Sequence, residues 1–355
     1  MHNFQRCVGR FAPTPSGRMH LGNAMCALIA YLSAKSRGGK FLLRIEDLDA
    51  ERCPRRFAED IMRDLERLGI FWEGEVLFQS ERAEVYREYF DRLRTSVRVY
   101  PCFCSRAALH AAEAPHLSDG SVIYPGTCRS LSPEEISAKE KCRPPAWRVQ
   151  VPAEGENAGK ENTAEENAAE ENTEEKGAGK ENGDGRFGTE YGDGYRVAYL
   201  DGLRGVCSQN LSRECGDFVL RRADGVFAYQ LAVVVDDALS GVTEVVRGED
   251  LRSSAARQVW LYRLLGFEPP VFYHIPLLTD RFGRRLAKRE GDSLSDALET
   301  YSPRQIVGAL AFAAGIIEEP VPVSPEELIK IFDWKKIGAE NRGTWRVDFS
   351  GFGEQ

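Results

Sequence analysis

Arg10-Phe-Ala-Pro-Thr-Pro-Ser-Gly-Arg-Met-His20-Leu-Gly-Asn23, and after it Phe41-Leu-Leu-Arg-Ile-Glu46-Asp-Leu-Asp49, decide how this chain folds. The first stretch reads as a strand delivering the chain to a Pro/Gly-rich turn that ends at the start of a helix. Leu21, Met25, Leu28, Ile29 and Leu32 recur at helical spacing, which predicts one buried face. The run 41–45 then reads as a short apolar strand of the kind covered on both faces in a parallel sheet. It finishes in three carboxylates, Glu46, Asp47 and Asp49. Strand, turn, helix and strand make a βαβ unit. Ligands of such folds sit beyond the carboxyl ends of the strands, where the turn and the acidic cluster both fall.

The chemistry available there follows from the parts. A helix N-terminus offers free N–H groups and partial positive charge, which suits phosphate. Gly17 and Gly22 let the backbone approach a ligand closely. His20 is a donor at the same place, able to stabilise charge on a phosphoryl oxygen.

The chain has 355 residues, room for two or three domains, and a formal net charge of −8. That charge is local. Residues 153–185 hold ten Glu and one Asp against three Lys, and the remainder balances at 44 basic against 44 acidic residues. The same segment repeats Ala-Gly-Lys-Glu-Asn from Ala158 and Ala178 and carries few apolar residues, so it is expected not to fold on its own. Nine cysteines without an apolar leader point to thiols in a reducing compartment. A cytoplasmic protein without a membrane span is expected.

Further along, helices are predicted after Pro54, from Glu81 to Arg94, and from Pro303 to Ala314, and a strand from Thr243 to Arg247. The stretch from Gly216 reads as a hairpin, with an Asp224-Gly225 turn, leading into a helix. Cys102-Phe-Cys104 and Tyr124-Pro-Gly-Thr-Cys128 suggest a metal clip of three thiolates, for which zinc needs a fourth ligand. His110, His116 and Tyr124 are the nearby candidates, and spacing favours a histidine.

The run Pro-Thr-Pro-Ser-Gly-x-x-His-Leu-Gly-Asn with Arg-Ile-Glu-Asp-Leu-Asp resembles the glutamyl and glutaminyl class I aminoacyl-tRNA synthetases, and most of all their glutamyl-Q branch. The resemblance implies a split Rossmann-like α/β catalytic domain with an inserted zinc-binding subdomain and a short helical C-terminal region. The expected divisions are residues 1–94 and 216–280 for the two Rossmann halves. The insert is expected at 95–215, and a signature loop with the helical region at 281–355. His20, Gly22, Asn23 and Lys288 would bind ATP, with His20 and Lys288 stabilising the transition state. Arg10, Ala12, Thr14, Glu46, Tyr229 and Arg247 would bind L-glutamate, Glu46 taking the ammonium and Arg247 the side-chain carboxylate. For the metal, the resemblance points to Cys102, Cys104, Tyr124 and Cys128.

Within the basic loop from Arg284, the run Arg285-Leu-Ala-Lys288-Arg289 resembles the family's second signature with two departures. Arg285 replaces a lysine, keeping charge but changing geometry, and Ala287 replaces a serine. ATP with Mg²⁺, L-glutamate and tRNA(Asp) carrying queuosine are the implied partners of a monomeric enzyme. After Lys288 only 67 residues remain, which disfavours a truncated conventional glutamyl-tRNA synthetase. A silent tRNA-binding paralogue is the other alternative.

Overall fold

Strands β1 (Val8–Phe11), β2 (Lys40–Ile45) and β3 (Leu77–Phe78) run parallel with β2 in the centre, Val8 opposite Lys40 and Arg44 opposite Leu77. Helices α1 (Leu21–Ser36) and α2 (Arg55–Arg67) make the two crossovers. The structure is a computed structural model that describes residues 6–105, 109, 123–152, 190–191, 194–280, 282–286, 293–340 and 344–352. The acidic segment 153–185 and most of the second signature, Ala287 and Lys288 included, lie outside the described residues.

Helix α3 (Ala83–Ser96) leads into the insert, where β4 (Val99–Cys102) pairs antiparallel with β5 (Ala146–Val149). Next come β6 (Glu190–Tyr191), β7 (Gly194–Asp201), β8 (Gly205–Asn210) and β9 (Phe218–Arg221). The division expected at 215/216 differs in its pairing. β9 bonds to β5 and so completes the sheet of the insert, whereas the β7–β8 hairpin joins the main sheet, Asp201 opposite Phe272. Periodicity reveals which face of a strand is buried but not which neighbour it pairs with.

Helix Tyr229–Leu239, β10 (Glu244–Gly248), helix Ala255–Leu264 and β11 (Val271–Ile275) form the second half, with β10 and β11 parallel. Thr243 joins the halves: its N–H donates to the Val8 carbonyl, and its Oγ1 accepts from the Val8 N–H, both at 2.9 Å. The strands then lie in the order β3-β2-β1-β10-β11. The order reverses between β1 and β10, which opens a crevice at their carboxyl ends.

Alternation splits the core into two layers. Phe11, Phe41, Leu43, Ile45, Val246 and Ile275 pack on the α1 side, while Val245 and Phe272 pack on the other. Arg10, Arg44, Arg247 and His274 take the alternate positions, turned toward the helices of the second half. The run 41–45 is therefore not wholly apolar, since Arg44 is buried within it.

Helix α1 departs from the one-sided burial expected of it. Leu21, Ala24, Met25, Ala27, Leu28, Ile29, Ala30, Tyr31, Leu32, Ser33 and Ala34 are buried, almost all round. The C-terminal region is the reason. Helix Pro325–Ile329 packs on α1, and the Trp334 indole N–H donates to Ser33 Oγ at 2.8 Å. Trp334 also stacks on Tyr273, with ring centroids 4.2 Å apart. β12 (Leu278–Thr279) pairs in parallel with β13 (Trp345–Arg346), tying the same region to the arm of the second signature. No helix of the described residues is long and apolar enough to cross a membrane.

Replacing Trp334 by Ala removes both contacts and opens one side of α1. A loss of about 2 kcal/mol is expected, less than for a fully buried Trp because Trp334 is half-buried. Urea unfolding followed by fluorescence checks it, and an unshifted midpoint would show that the C-terminal region does not support the helix.

Candidate active site

The turn after β1 carries the chain across the crevice, and the Glu46 N–H donates back to the Pro13 carbonyl at 3.0 Å, fixing the ends of β1 and β2 together. His20 is the N-cap of α1. Its Nδ1 accepts from the Asn23 N–H at 3.3 Å, while Asn23 Oδ1 accepts from the His20 N–H at 3.4 Å. This is a capping box with imidazole in place of a hydroxyl. Because Nδ1 is an acceptor, the neutral ring carries its hydrogen on Nε2. A Cβ on Gly22 would lie 3.0 Å from both His20 Cε1 and Nδ1, so a side chain at residue 22 would crowd the ring and make it shift.

A cavity of about 340 Å³ fills the crevice, and Arg10, Ala12, Thr14, His20, Gly22, Asn23, Glu46, Tyr229 and Arg247 all line it. The structure thus brings these residues together. Lys288 lies outside the described residues, but Arg285 of the same signature lines the cavity and is paired with Asp250.

The three carboxylates after β2 divide. Asp47 accepts from the Ser80 N–H at 2.9 Å and hydroxyl at 2.7 Å, and Asp49 pairs with Arg222 at 3.3 Å. Of the three, Glu46 alone lines this cavity. Burial pushes its carboxyl above the ordinary range, and Arg44, 3.2 Å away, and Arg10 pull it back in part. A ligand cation at Glu46 would complete that compensation. Arg10 itself is committed to Asp237, donating from Nε at 3.2 Å and Nη2 at 3.4 Å. Burial and the Glu46 charge push the Tyr229 phenol up, so Tyr229 acts as a neutral hydroxyl.

Arg247 is buried, at 4% exposure, yet forms no ion pair among the described residues. Its Nε donates to His274 Nε2 at 3.0 Å and its Nη1 to Gln258 Oε1 at 2.7 Å, while Nη2 has no partner. A buried cation held by neutral acceptors with one nitrogen bare is arranged to receive an anion. The internal Glu46–Arg247 ion pair that would make both residues merely structural is not formed, since each has other partners. Sequence reading missed His274, Gln258, Arg44, Asp236 and Asp237. The available signals were single polar residues interrupting apolar runs, as in Val-Phe-Tyr-His-Ile.

A second cavity, about 760 Å³, shares Thr14, Glu46 and Tyr229 with the first and reaches the insert at Cys104. The sulfurs of Cys102, Cys104 and Cys128 lie within 4.8 Å of one another and could hold a metal. The Tyr124 hydroxyl sits 3.5 Å from Cys102 Sγ and 3.6 Å from Cys104 Sγ. His110 and His116 lie outside the described residues.

Gly22→Ala should leave the fold intact and displace the His20 ring. The rate of a reaction at a phosphoryl group held by this turn is expected to fall by about 10- to 100-fold, the scale of losing one donor to a developing charge. Single-turnover kinetics checks this, and an undiminished rate would remove His20 from the chemistry.

Comparison with known proteins agrees with this arrangement. The sequence profile of "tRNA synthetases class I (E and Q), catalytic domain" matches residues 6–172 and 154–333. The chain is 44% identical over 345 residues to the glutamyl-Q tRNA(Asp) synthetase of Symbiobacterium thermophilum, covering 94% of each chain. It is 43% identical to the protein of that name from Nitratidesulfovibrio vulgaris, covering 90% of each. Its fold superposes on the crystal structure of glutamate-tRNA synthetase from Elizabethkingia anophelis with a TM-score of 0.74 and 27% identity, over 97% of this chain and 68% of that one. With the His20 turn, the split parallel sheet and the cavity at its switch point, the chain belongs to the class I (E and Q) tRNA synthetases.

Proposed function

We propose that this chain activates L-glutamate with ATP and transfers the glutamyl group to the queuosine base of tRNA(Asp). The observation that carries the first half is the cavity that sets Glu46 against Arg247 beside the His20 turn. One end needs a cation and the other an anion, as the ammonium and side-chain carboxylate of glutamate provide. The relatives named glutamyl-Q tRNA(Asp) synthetase, similar over nearly their whole length, support the second half.

The glutamate α-carboxylate attacks the α-phosphate of ATP, entering as its Mg²⁺ complex. The bond to the leaving pyrophosphate breaks as the acyl phosphate bond forms. No protein nucleophile is needed. His20 Nε2–H faces charge growing on the phosphoryl oxygens, the N-terminus of α1 adds its dipole, and Lys288 supplies a second cation by analogy with the family. Catalysis is then mostly positioning and electrostatics. An RNA hydroxyl next attacks the acyl carbon and AMP departs. The second cavity suits that acceptor, since it opens onto Glu46 and Tyr229 and is lined by Arg52, Arg143 and Arg222.

Zinc is the ion we assign to the cysteine clip. Tetrahedral coordination with Zn–S about 2.3 Å and Zn–O about 2.0 Å sets two sulfurs about 3.8 Å apart and sulfur from oxygen about 3.5 Å. Cys104 and Cys128 sulfurs are 3.7 Å apart, and the Tyr124 hydroxyl stands 3.5 and 3.6 Å from the Cys102 and Cys104 sulfurs, separations that match ligands of one such ion. When bound, zinc would fix the wall of the acceptor cavity at Cys104 without taking part in the chemistry.

The purified protein should exchange pyrophosphate into ATP in the presence of glutamate without tRNA. It should label tRNA(Asp) bearing queuosine but not tRNA(Asp) lacking it. Labelling of tRNA(Glu) would instead identify a conventional enzyme, and no exchange with or without tRNA a binding protein. Metal analysis should find zinc in stoichiometric amount, lost in Cys104→Ser; retention by that variant would contradict the assigned ligand set.

A further inference from the structure

The acceptor of the Arg247 Nε–H is an imidazole that can accept in one tautomer only. His274 Nε2 is bare when the ring hydrogen sits on Nδ1, and Nδ1 lies 2.7 Å from Asp201 Oδ2. Asp201 and His274 are both fully buried, His274 stacked on Phe272 and edge-on to Tyr199, so the ring cannot turn to find another partner. The other carboxylate oxygen, Asp201 Oδ1, accepts from the Leu203 N–H at 2.9 Å. Arg204 reaches the same carboxylate at 3.7 Å and donates to the His274 carbonyl at 2.7 Å. Burial pushes His274 down to about 4, helped by the Arg247 and Arg204 charges and opposed by Asp201, so the imidazole is neutral.

We propose that Asp201 and His274 are positioning residues for substrate choice: they fix the tautomer that turns Arg247, so that its bare Nη2 selects a side-chain carboxylate over the neutral amide of the same length. This rests on the reading that Arg247 meets the side chain of the amino acid. The relay explains why no acid among the described residues touches Arg247. A carboxylate in place of His274 would satisfy the guanidinium and leave nothing to favour an anionic substrate. A neutral acceptor, itself oriented by a distant carboxylate, holds the geometry and leaves the positive charge uncompensated. Glutamate completes it, whereas glutamine leaves a buried cation unpaired.

Asp201→Asn tests the relay with little change in shape. The Leu203 N–H claims the amide oxygen, leaving the amide NH₂ facing His274. The ring must then accept at Nδ1 and carry its hydrogen on Nε2, where it opposes the Arg247 N–H. In tRNA-independent pyrophosphate exchange, KM for glutamate is expected to rise about 10- to 100-fold, the scale of a lost hydrogen bond to a charged group, with kcat changed less than about threefold. The preference for glutamate over glutamine should narrow in parallel, and ¹⁵N NMR of labelled histidine should show the tautomer exchanged.

A second pair guards against a variant that fails to fold. His274→Gln keeps a donor for Asp201 and an acceptor for Arg247, and should retain KM within about threefold; His274→Leu keeps volume alone and should match Asp201→Asn. Unchanged KM and amide discrimination in folded Asp201→Asn or His274→Leu, or a fall in kcat at constant KM, would overturn the relay. A wild-type protein silent with glutamate would instead overturn the functional reading on which it rests.

Discussion

Asp237 holds two arginines from two different strands. Arg10 of β1 meets it with two N–H groups, and Arg44 of β2 reaches the same carboxylate, all three buried. Burial raises the cost of that charge and the two guanidiniums outweigh it, holding the Asp237 carboxyl below its usual range. Its neighbour Asp236 accepts from Gln79 at 2.8 Å, Arg82 at 2.7 Å and Tyr86 at 2.8 Å. One helix of the second Rossmann half thus grips β1 and β2, and α3 as well. Removing one partner from such a cluster leaves an uncompensated buried charge, typically about 3–5 kcal/mol. The floor of the site is rigid for that reason.

Beside this paired network, two buried charged groups face the cavity with their charge incompletely met. Glu46 shares Arg44 with Asp237 and keeps a raised pKa. Arg247 has neutral partners and a bare Nη2. Both line the same cavity, at the point where the strand order reverses, beside the capped imidazole of His20. A molecule with an ammonium group, a side-chain carboxylate and a reacting carboxyl satisfies these unmet valences at once. The adjoining cavity opens onto Glu46 and Tyr229 from the side of the cysteine clip.

The parts legible in the sequence were those that local chemistry dictates. The turn at residues 12–23 declared itself by its prolines, glycines and capping residues, and the clip by the spacing of its cysteines. Glu46 was marked by standing where an apolar strand ends. What escaped reading depended on tertiary partners. Arg44 lies within a run that reads as an apolar strand, and its role comes only from Asp237 beside it. Asp236, Asp237 and His274 show locally only as polar residues within or at the end of apolar runs, and the burial that makes them important is decided by other elements. Helix α1 looked one-sided because the residues that cover its outer face come from around Trp334, some three hundred positions later. The place of β9 depended on a neighbour in the insert.

The most direct test of the central claim is a crystal structure with a non-hydrolysable glutamyl-adenylate analogue. The side-chain carboxylate is predicted within hydrogen-bond distance of Arg247 Nη2, the ammonium at Glu46 and the phosphoryl mimic at the His20 turn. An analogue bound with its side chain away from Arg247, leaving Nη2 still bare, would contradict the account.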